Sequence, residues 1–300
     1  MEIWILITIA AAFFQNIRSV LQKYLKGYMG TTGATFARFG YGLPFAFVYW
    51  IVLFYATGEV WPDLGDSFWL WVTLAAFAQI AAQMLLILAF SYRNFTVATA
   101  YSRTEPAQTA LFALVLFGEL LSFGGIIAIA VSIVGVLLIS VARTEITLKS
   151  LLTSVASKPA LIGLASGTIF GFAAVAYRAA TLSIEHDLFF MRGATTLCAA
   201  ITIQTVALLL WMALVDNSEL RNVIRAWKPA LMTGFVGATA SFGWFSAFAL
   251  QQAALVKVVA QVEMLFTFAS SIFFFKESIN RIEVIGCLLI TFGIVLLVLL

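Results

Sequence analysis

The chain has 300 residues, of which 63% are hydrophobic and 10% charged, where an ordinary soluble chain carries about 25% charge. A mean hydropathy of +1.04 leaves too little polar surface to face water, so the composition describes an integral membrane protein. A formal net charge of +3 offers no basic face for nucleic acid, and the two cysteines, Cys198 and Cys287, both sit in apolar runs and build no disulfide scaffold.

Ten apolar stretches are long enough to span a bilayer. The first, 2–22, has no basic leader before it, is expected to stay as a span, and contains Arg18. The second, 32–55, contains Arg38, and the third is 67–90. The fourth, 95–117, carries Tyr101, Arg103, Glu105 and Gln108, and Pro106 removes a backbone donor beside the glutamate, which predicts a kink. The fifth is 123–141. A polar stretch at 143–159 then separates residues 1–142 from 160–300 and is the natural linker. The sixth span, 160–182, bears a stripe of Gly163, Gly167 and Gly171 suited to close packing, and Arg178 near its end. The seventh, 187–214, contains Arg192; the eighth, 230–250, places Trp244 beside Gly243. The ninth, 254–275, holds Lys257, Gln261 and Glu263, and the tenth is 282–300. Trp4, Trp61, Trp69 and Trp71 lie near span ends and read as interfacial belt residues. Glu119 and Glu277, in the turns before the fifth and tenth spans, and Asn280 with Glu283, are positioned to cap the following helices.

The two halves align with each other. An offset of 158 lays Ala89-Phe90 on Ala247-Phe248, Glu105 on Glu263, Glu119 on Glu277 and Gly135 on Gly293. Arg18 and Arg178 match at 160, Arg38 and Arg192 at 154. Five spans per half is an odd number, so the second half is expected upside down relative to the first. The predicted fold is therefore an all-α integral membrane protein of ten transmembrane helices, arranged as two inverted five-helix repeats. Eleven of the seventeen lysines and arginines fall in loops on one side, among them Lys23, Lys26, Arg93, Arg143, Arg221, Arg225, Lys228 and Lys276. That side should be cytoplasmic, leaving both termini outside.

Charges within spans cost about 2.5–3.5 kcal/mol each at a helix centre and must face a partner, a bundle interior or a wet cavity. Arg18, Arg178, Arg38 and Arg192 recur at repeat-related positions, which suits framework or gating roles; their alternative is to snorkel to the membrane boundary. Arg103 and Lys257 break the symmetry, since Gln261 and Thr99 are their counterparts, and a substrate is not symmetric. With Glu105 and Glu263 they form a balanced set suited to a zwitterion, with Tyr101, Gln261 and Trp244 as wall residues. Neither a G-x-S-x-G elbow nor an H-E-x-x-H pair is present, His186 is the lone histidine, and Asp63 with Asp66 is too slight a pattern for a metal-diphosphate site, so no enzyme, cofactor or metal is expected.

Pro106, Gly118-Glu119 followed by Gly135, Lys276-Glu277 followed by Gly286 and Gly293, and the arginines Arg38 and Arg192 form a recognisable set. On these marks the chain resembles the drug/metabolite transporter superfamily, EamA type, over essentially its whole length. The resemblance implies a secondary transporter or exchanger with a central cavity between two repeats, in a family whose members carry amino acids, other metabolites, drugs, sugar phosphates or nucleotide sugars. The leading expectation is a bacterial inner-membrane transporter of a small carboxylate-bearing or zwitterionic metabolite, amino acids first, working by alternating access with a proton or counter-substrate, as a monomer or homodimer. A proton-coupled exporter of lipophilic cations, using Glu105 or Glu263, and a flippase for phospholipid headgroups are the alternatives.

Overall fold

The computed structural model describes residues 2–89, 101–141, 147, 149, 156–273 and 281–299. In chain order its helices are α1 (Ile3–Leu25), α2 (Thr31–Gly40), α3 (Leu43–Ala56), α4 (Phe68–Ala89), α5 (Glu105–Phe117), α6 (Phe123–Val141), α7 (Lys158–Leu182), α8 (Phe189–Val215), α9 (Asn217–Arg225), α10 (Trp227–Leu250), α11 (Ala253–Val259), α12 (Val262–Phe273) and α13 (Arg281–Leu299). Among the described residues, six stretches are long and apolar enough to cross a membrane, one of them α2 and α3 together. Most of the expected linker, the early part of the fourth span, and Phe90, Arg93, Thr99, Arg143, Lys276, Glu277 and Asn280 lie outside the described residues.

One helix per predicted span does not hold. The second span breaks at Tyr41–Gly42, where Pro44 in the first turn of α3 has no N–H to continue the ladder. The ninth divides into α11 and α12 at Ala260–Gln261. No proline causes this break; the backbone tightens into i to i+3 bonds, Gln261 N–H to Val258 O at 3.1 Å and Glu263 N–H to Ala260 O at 3.0 Å. The fourth is interrupted too: Thr104 N–H bonds to Tyr101 O at 3.2 Å and α5 starts afresh at Glu105, so Pro106 occupies a first helical turn instead of a kink. Two further elements were not expected. α9 is an amphipathic helix in what read as a loop, and Asp63–Leu64 (β1) pairs antiparallel with Ile184–Glu185 (β2), Asp63 opposite Glu185 and Leu64 opposite Ile184.

The helices gather into two compact units, and each unit draws on both sequence halves. The first unit contains residues 81–175 and 252–300. In it α6 runs along α13 and α5 packs on α11. Gly135 and Gly286 set the α6–α13 distance reciprocally: a Cβ on either glycine would lie 2.7 Å from the carbonyl oxygen of the other. Ala128, Ile129, Ala254 and Val258 form a small buried cluster beside this contact. The second unit contains residues 2–80 and 176–251. There α1 lies along α10, and α8 packs on α2, α3 and α10. Its core holds Phe39, Met191, Leu197, Phe245 and Phe248.

Interiors are rich in alanine, whereas large side chains such as Ile51, Tyr55, Leu111, Val115, Leu210 and Leu214 face outward. That inversion of the soluble pattern lets helix backbones approach closely and gives lipid the bulky apolar surface. Trp61 and Trp69 are exposed as a belt would require, but Trp4 is buried, its indole N–H donating to Glu2, so it is removed from that set.

The start of α2 is held from a distance in sequence. Glu219, buried on α9, accepts hydrogen bonds from Gly30 N–H and Gly33 N–H, both at 2.9 Å. A carboxylate at a helix N-terminus satisfies orphan donors and meets the positive end of the helix dipole. Gly33 must be glycine here, because a Cβ would stand 2.5 Å from the Glu219 carboxylate. Glu219→Ala removes two charge-assisted hydrogen bonds, worth roughly 2–4 kcal/mol together, and should lower the unfolding temperature by about 5 °C or more. Gly33→Ala should act in the same direction, and unchanged thermal unfolding of both variants would show that this cap contributes nothing.

Candidate functional site

Four of the charges singled out by sequence meet in the first unit. Arg103 Nη1 donates to Glu263 Oε2 at 2.9 Å, and Lys257 Nζ lies 2.8 Å from Glu105 Oε1. Each pair joins one sequence half to the other. Both carboxylates sit in the first turn of a helix that begins at a break, Glu105 on α5 and Glu263 on α12, where the helix dipole favours negative charge. The cations come from the opposing segments: Arg103 from the turn before α5, Lys257 from the last turn of α11.

The breaks explain why these side chains converge. With continuous helices, Arg103 and Glu105 would point to nearly opposite sides. The turn at Arg103–Thr104 releases that constraint, and the turn at Ala260–Gln261 does the same for Lys257 and Glu263. Gln261 Nε2 donates to the Arg103 carbonyl at 3.3 Å, so one break supports the other. Thr104 Oγ1 donates to Tyr101 O at 2.7 Å and receives Gln108 Nε2 at 3.0 Å, which fixes the first turn. Gly167 and Gly171 allow α7 to press onto the same region, a Cβ at Gly167 falling 2.8 Å from the Ser102 carbonyl and one at Gly171 falling 3.0 Å from Thr109 N. The glycine stripe is thus a packing surface, and what it packs against is the break. Tyr101 is half-buried beside Val141 and Ala160.

Accessibility differs between the pairs. The Glu263 side chain is 5% exposed against 26% for Arg103, whereas Lys257 and Glu105 are 16% and 20% exposed. Glu263 is a buried anchor for a partly open guanidinium; the second pair is partly covered at both ends, with Glu105 Oε1 itself buried.

The remaining predicted site residues lie in the second unit. Arg18 and Arg38 are buried against α10, where a Cβ on Gly237 would sit 3.5 Å from Arg18 Cδ and 3.1 Å from Arg38 Cγ. Arg38 Nη2 donates to Ser241 Oγ at 3.4 Å and its guanidinium lies 4.9 Å from the Phe39 ring centre. Both are packed among helices and do not snorkel. Arg178 Nη1 donates to the Phe248 and Gln251 carbonyls at 2.7 and 2.6 Å, closing the C-terminus of α10 where a cation is favoured. Arg192 Nε donates to the His186 carbonyl at 2.8 Å, and His186 Nδ1 accepts from Leu188 N–H at 3.0 Å, so the lone histidine is a turn-former. Trp244 Nε1 donates to Gln15 Oε1 at 3.1 Å. Sequence reasoning missed a buried polar network here: Tyr177 OH donates to Gln79 Oε1 at 3.0 Å, and Gln204 Nε2 reaches Gln79 Oε1 at 2.7 Å and Tyr177 OH at 3.1 Å. Three uncharged polar residues spread through three apolar spans carry no spacing signal. Among the described residues, no cluster of three or more histidine, cysteine, aspartate or glutamate side chains could hold a metal.

The Lys257–Glu105 contact predicts non-additive substitutions. Lys257→Met or Glu105→Gln alone leaves a charge without its partner, at a cost of about 1–3 kcal/mol for a partly exposed pair, whereas the double variant should recover part of that loss. Thermal unfolding of the four proteins measures the coupling, and simple additivity would rule the pair out.

The comparisons agree with this architecture. The family described as the EamA-like transporter family matches twice, over residues 2–141 and again over 157–299. A protein solved by crystallography superposes with a TM-score of 0.69 over 99% of this chain and 96% of its own, at 17% identity, a likeness of fold alone. No curated protein matches the chain in sequence.

Proposed function

The chain belongs to the EamA-like transporter family, and on that premise we propose that it carries a small carboxylate-bearing or zwitterionic metabolite, amino acids being the first candidates. Membership makes it a multi-pass membrane transporter of the drug/metabolite type. The narrower reading rests on one observation: two cations and two carboxylates are held as reciprocal ion pairs at two helix breaks.

Such a set selects by charge balance. A zwitterion brings one carboxylate and one ammonium, so it replaces protein–protein contacts with substrate contacts and leaves the buried net charge at zero. A monocation would strand a positive charge in a low-dielectric interior, where uncompensated ions cost several kcal/mol, and a simple carboxylate is balanced only when Glu105 or Glu263 takes up a proton with it. Arg103 can bind the substrate carboxylate with donors not used by Glu263, since guanidinium carries five. Lys257 supplies a second cation once Glu105 turns to the substrate ammonium or takes up a coupling proton. Tyr101 and Gln261 shape the adjoining wall; Trp244 belongs to the second unit, and the site is drawn without it.

Discontinuous helices at repeat-related positions supply the motion. Two short turns can change dihedral angles without breaking a long helical ladder, and separating an ion pair couples that change to substrate arrival. The mechanism we propose is alternating access by two inverted repeats. We place the chain in a bacterial inner membrane, and the excess of lysine and arginine in the loops of one side supports an orientation with both termini outside the cytoplasm.

Thermal stabilisation of the purified protein across amino acids, organic acids, phosphorylated metabolites and lipophilic cations tests the reading, followed by uptake into proteoliposomes with the compound found. A zwitterionic or carboxylate ligand should stabilise, and Arg103→Ala and Lys257→Ala should each weaken its binding tenfold or more, about 1.4 kcal/mol. Stabilisation by lipophilic cations alone, lost on Glu105→Gln or Glu263→Gln, would replace this proposal with a drug exporter.

A further inference from the structure

A cleft of about 450 Å³ opens in the second unit where α1, α9 and α10 end or begin. Its lining includes Tyr24, Tyr28, Asn222, Arg225, Trp227 and Lys228, two cations with no carboxylate among them. The acidic groups of α9 are engaged elsewhere: Glu219 faces Gly30 and Gly33, and Asp216 accepts a hydrogen bond from Ser218 at 2.6 Å. Glu219 is thus turned inward, and Arg225 at the end of α9 and Lys228 at the start of α10 are left for the cleft. The Tyr24 and Tyr28 hydroxyls stand 2.7 Å apart, two phenols on one wall, and the Lys228 ammonium lies 5.7 Å from the Trp227 ring centre.

Two features make the fitting ligand amphipathic. α9 follows α8, which is long and apolar enough to cross a membrane, after one residue, Asp216, so a spanning α8 sets α9 at the level where hydrocarbon gives way to water. Ile224 and Trp227 also stand exposed next to the cations, 61% and 51% accessible, where a soluble anion would find no use for them. Basic side chains and an aromatic at that depth are the chemistry that recognises anionic headgroups.

We propose that this cleft binds an anionic phospholipid of the surrounding bilayer. Arg225 and Lys228 hold the phosphodiester, the tyrosine hydroxyls meet headgroup oxygens, and Trp227 with Ile224 rests on the acyl chains. Because Glu219 ties α9 to the start of α2, an occupied cleft braces that junction.

The test uses the purified full chain in neutral detergent supplemented with phosphatidylglycerol, with phosphatidylcholine of the same chains, or with soluble glycerol phosphate. Phosphatidylglycerol should raise the unfolding temperature by about 2–4 °C over phosphatidylcholine, and native mass spectrometry should show it retained. Arg225→Gln/Lys228→Gln should abolish both effects while unfolding as the parent does in phosphatidylcholine, and Lys23→Gln, an exposed charge outside the cleft, should leave them intact. Equal stabilisation by the two lipids would overturn the proposal, as would glycerol phosphate matching the lipid. Should the double variant unfold early in every mixture, Lys228→Gln alone must weaken lipid retention at least threefold, and failure to do so would overturn it equally.

Discussion

A charge in hydrocarbon must be matched close at hand, and that requirement governs the first unit. Glu105 and Glu263 could not lie within spans without cations beside them, and the cations come from across the sequence, Lys257 and Arg103. Regular helices would have aimed these groups apart. The structure resolves the conflict by stopping each helix and starting it again, so that both carboxylates lie in the first turn of a new helix while meeting their partners. Pairing, helix breaks and close glycine packing from α7 are consequences of one demand.

The second unit meets the same demand differently. Arg178 and Arg192 end on backbone carbonyls, which are partial negative charges already fixed in place. Glu219 does the converse, ending on backbone N–H groups. Polar groups that finish on backbone are committed to architecture, whereas side-chain pairs can exchange partners when a ligand arrives.

Six of the spans were legible because hydropathy is a property of the whole stretch, and the intramembrane charges stood out against it. Their grouping was partly legible: the balanced set Arg103, Lys257, Glu105 and Glu263 follows from repeat alignment, but which cation meets which carboxylate does not. The break at Pro44 has a local cause that sequence shows. The break at Ala260 has none, since its i to i+3 turns are imposed by tertiary contacts such as Gln261 with Arg103. α9 escaped because nine residues between charged neighbours resemble a loop until Val223 and Glu219 are seen to be buried. Trp4 was misplaced because nearness to a span end does not say whether a side chain faces outward or into the protein.

The cross-half ion pairs also bear on how the chain is made. Glu105 leaves the ribosome 152 residues ahead of Lys257. At about 5–20 residues per second, roughly 8–30 s pass before its partner exists. Arg103 waits even longer for Glu263. During that interval the early half cannot settle in lipid with both groups ionised and unmatched, so it must keep Arg103 hydrated and Glu105 hydrated or protonated, or remain beside the insertion machinery. The first half is thus an assembly intermediate until the second supplies Lys257 and Glu263.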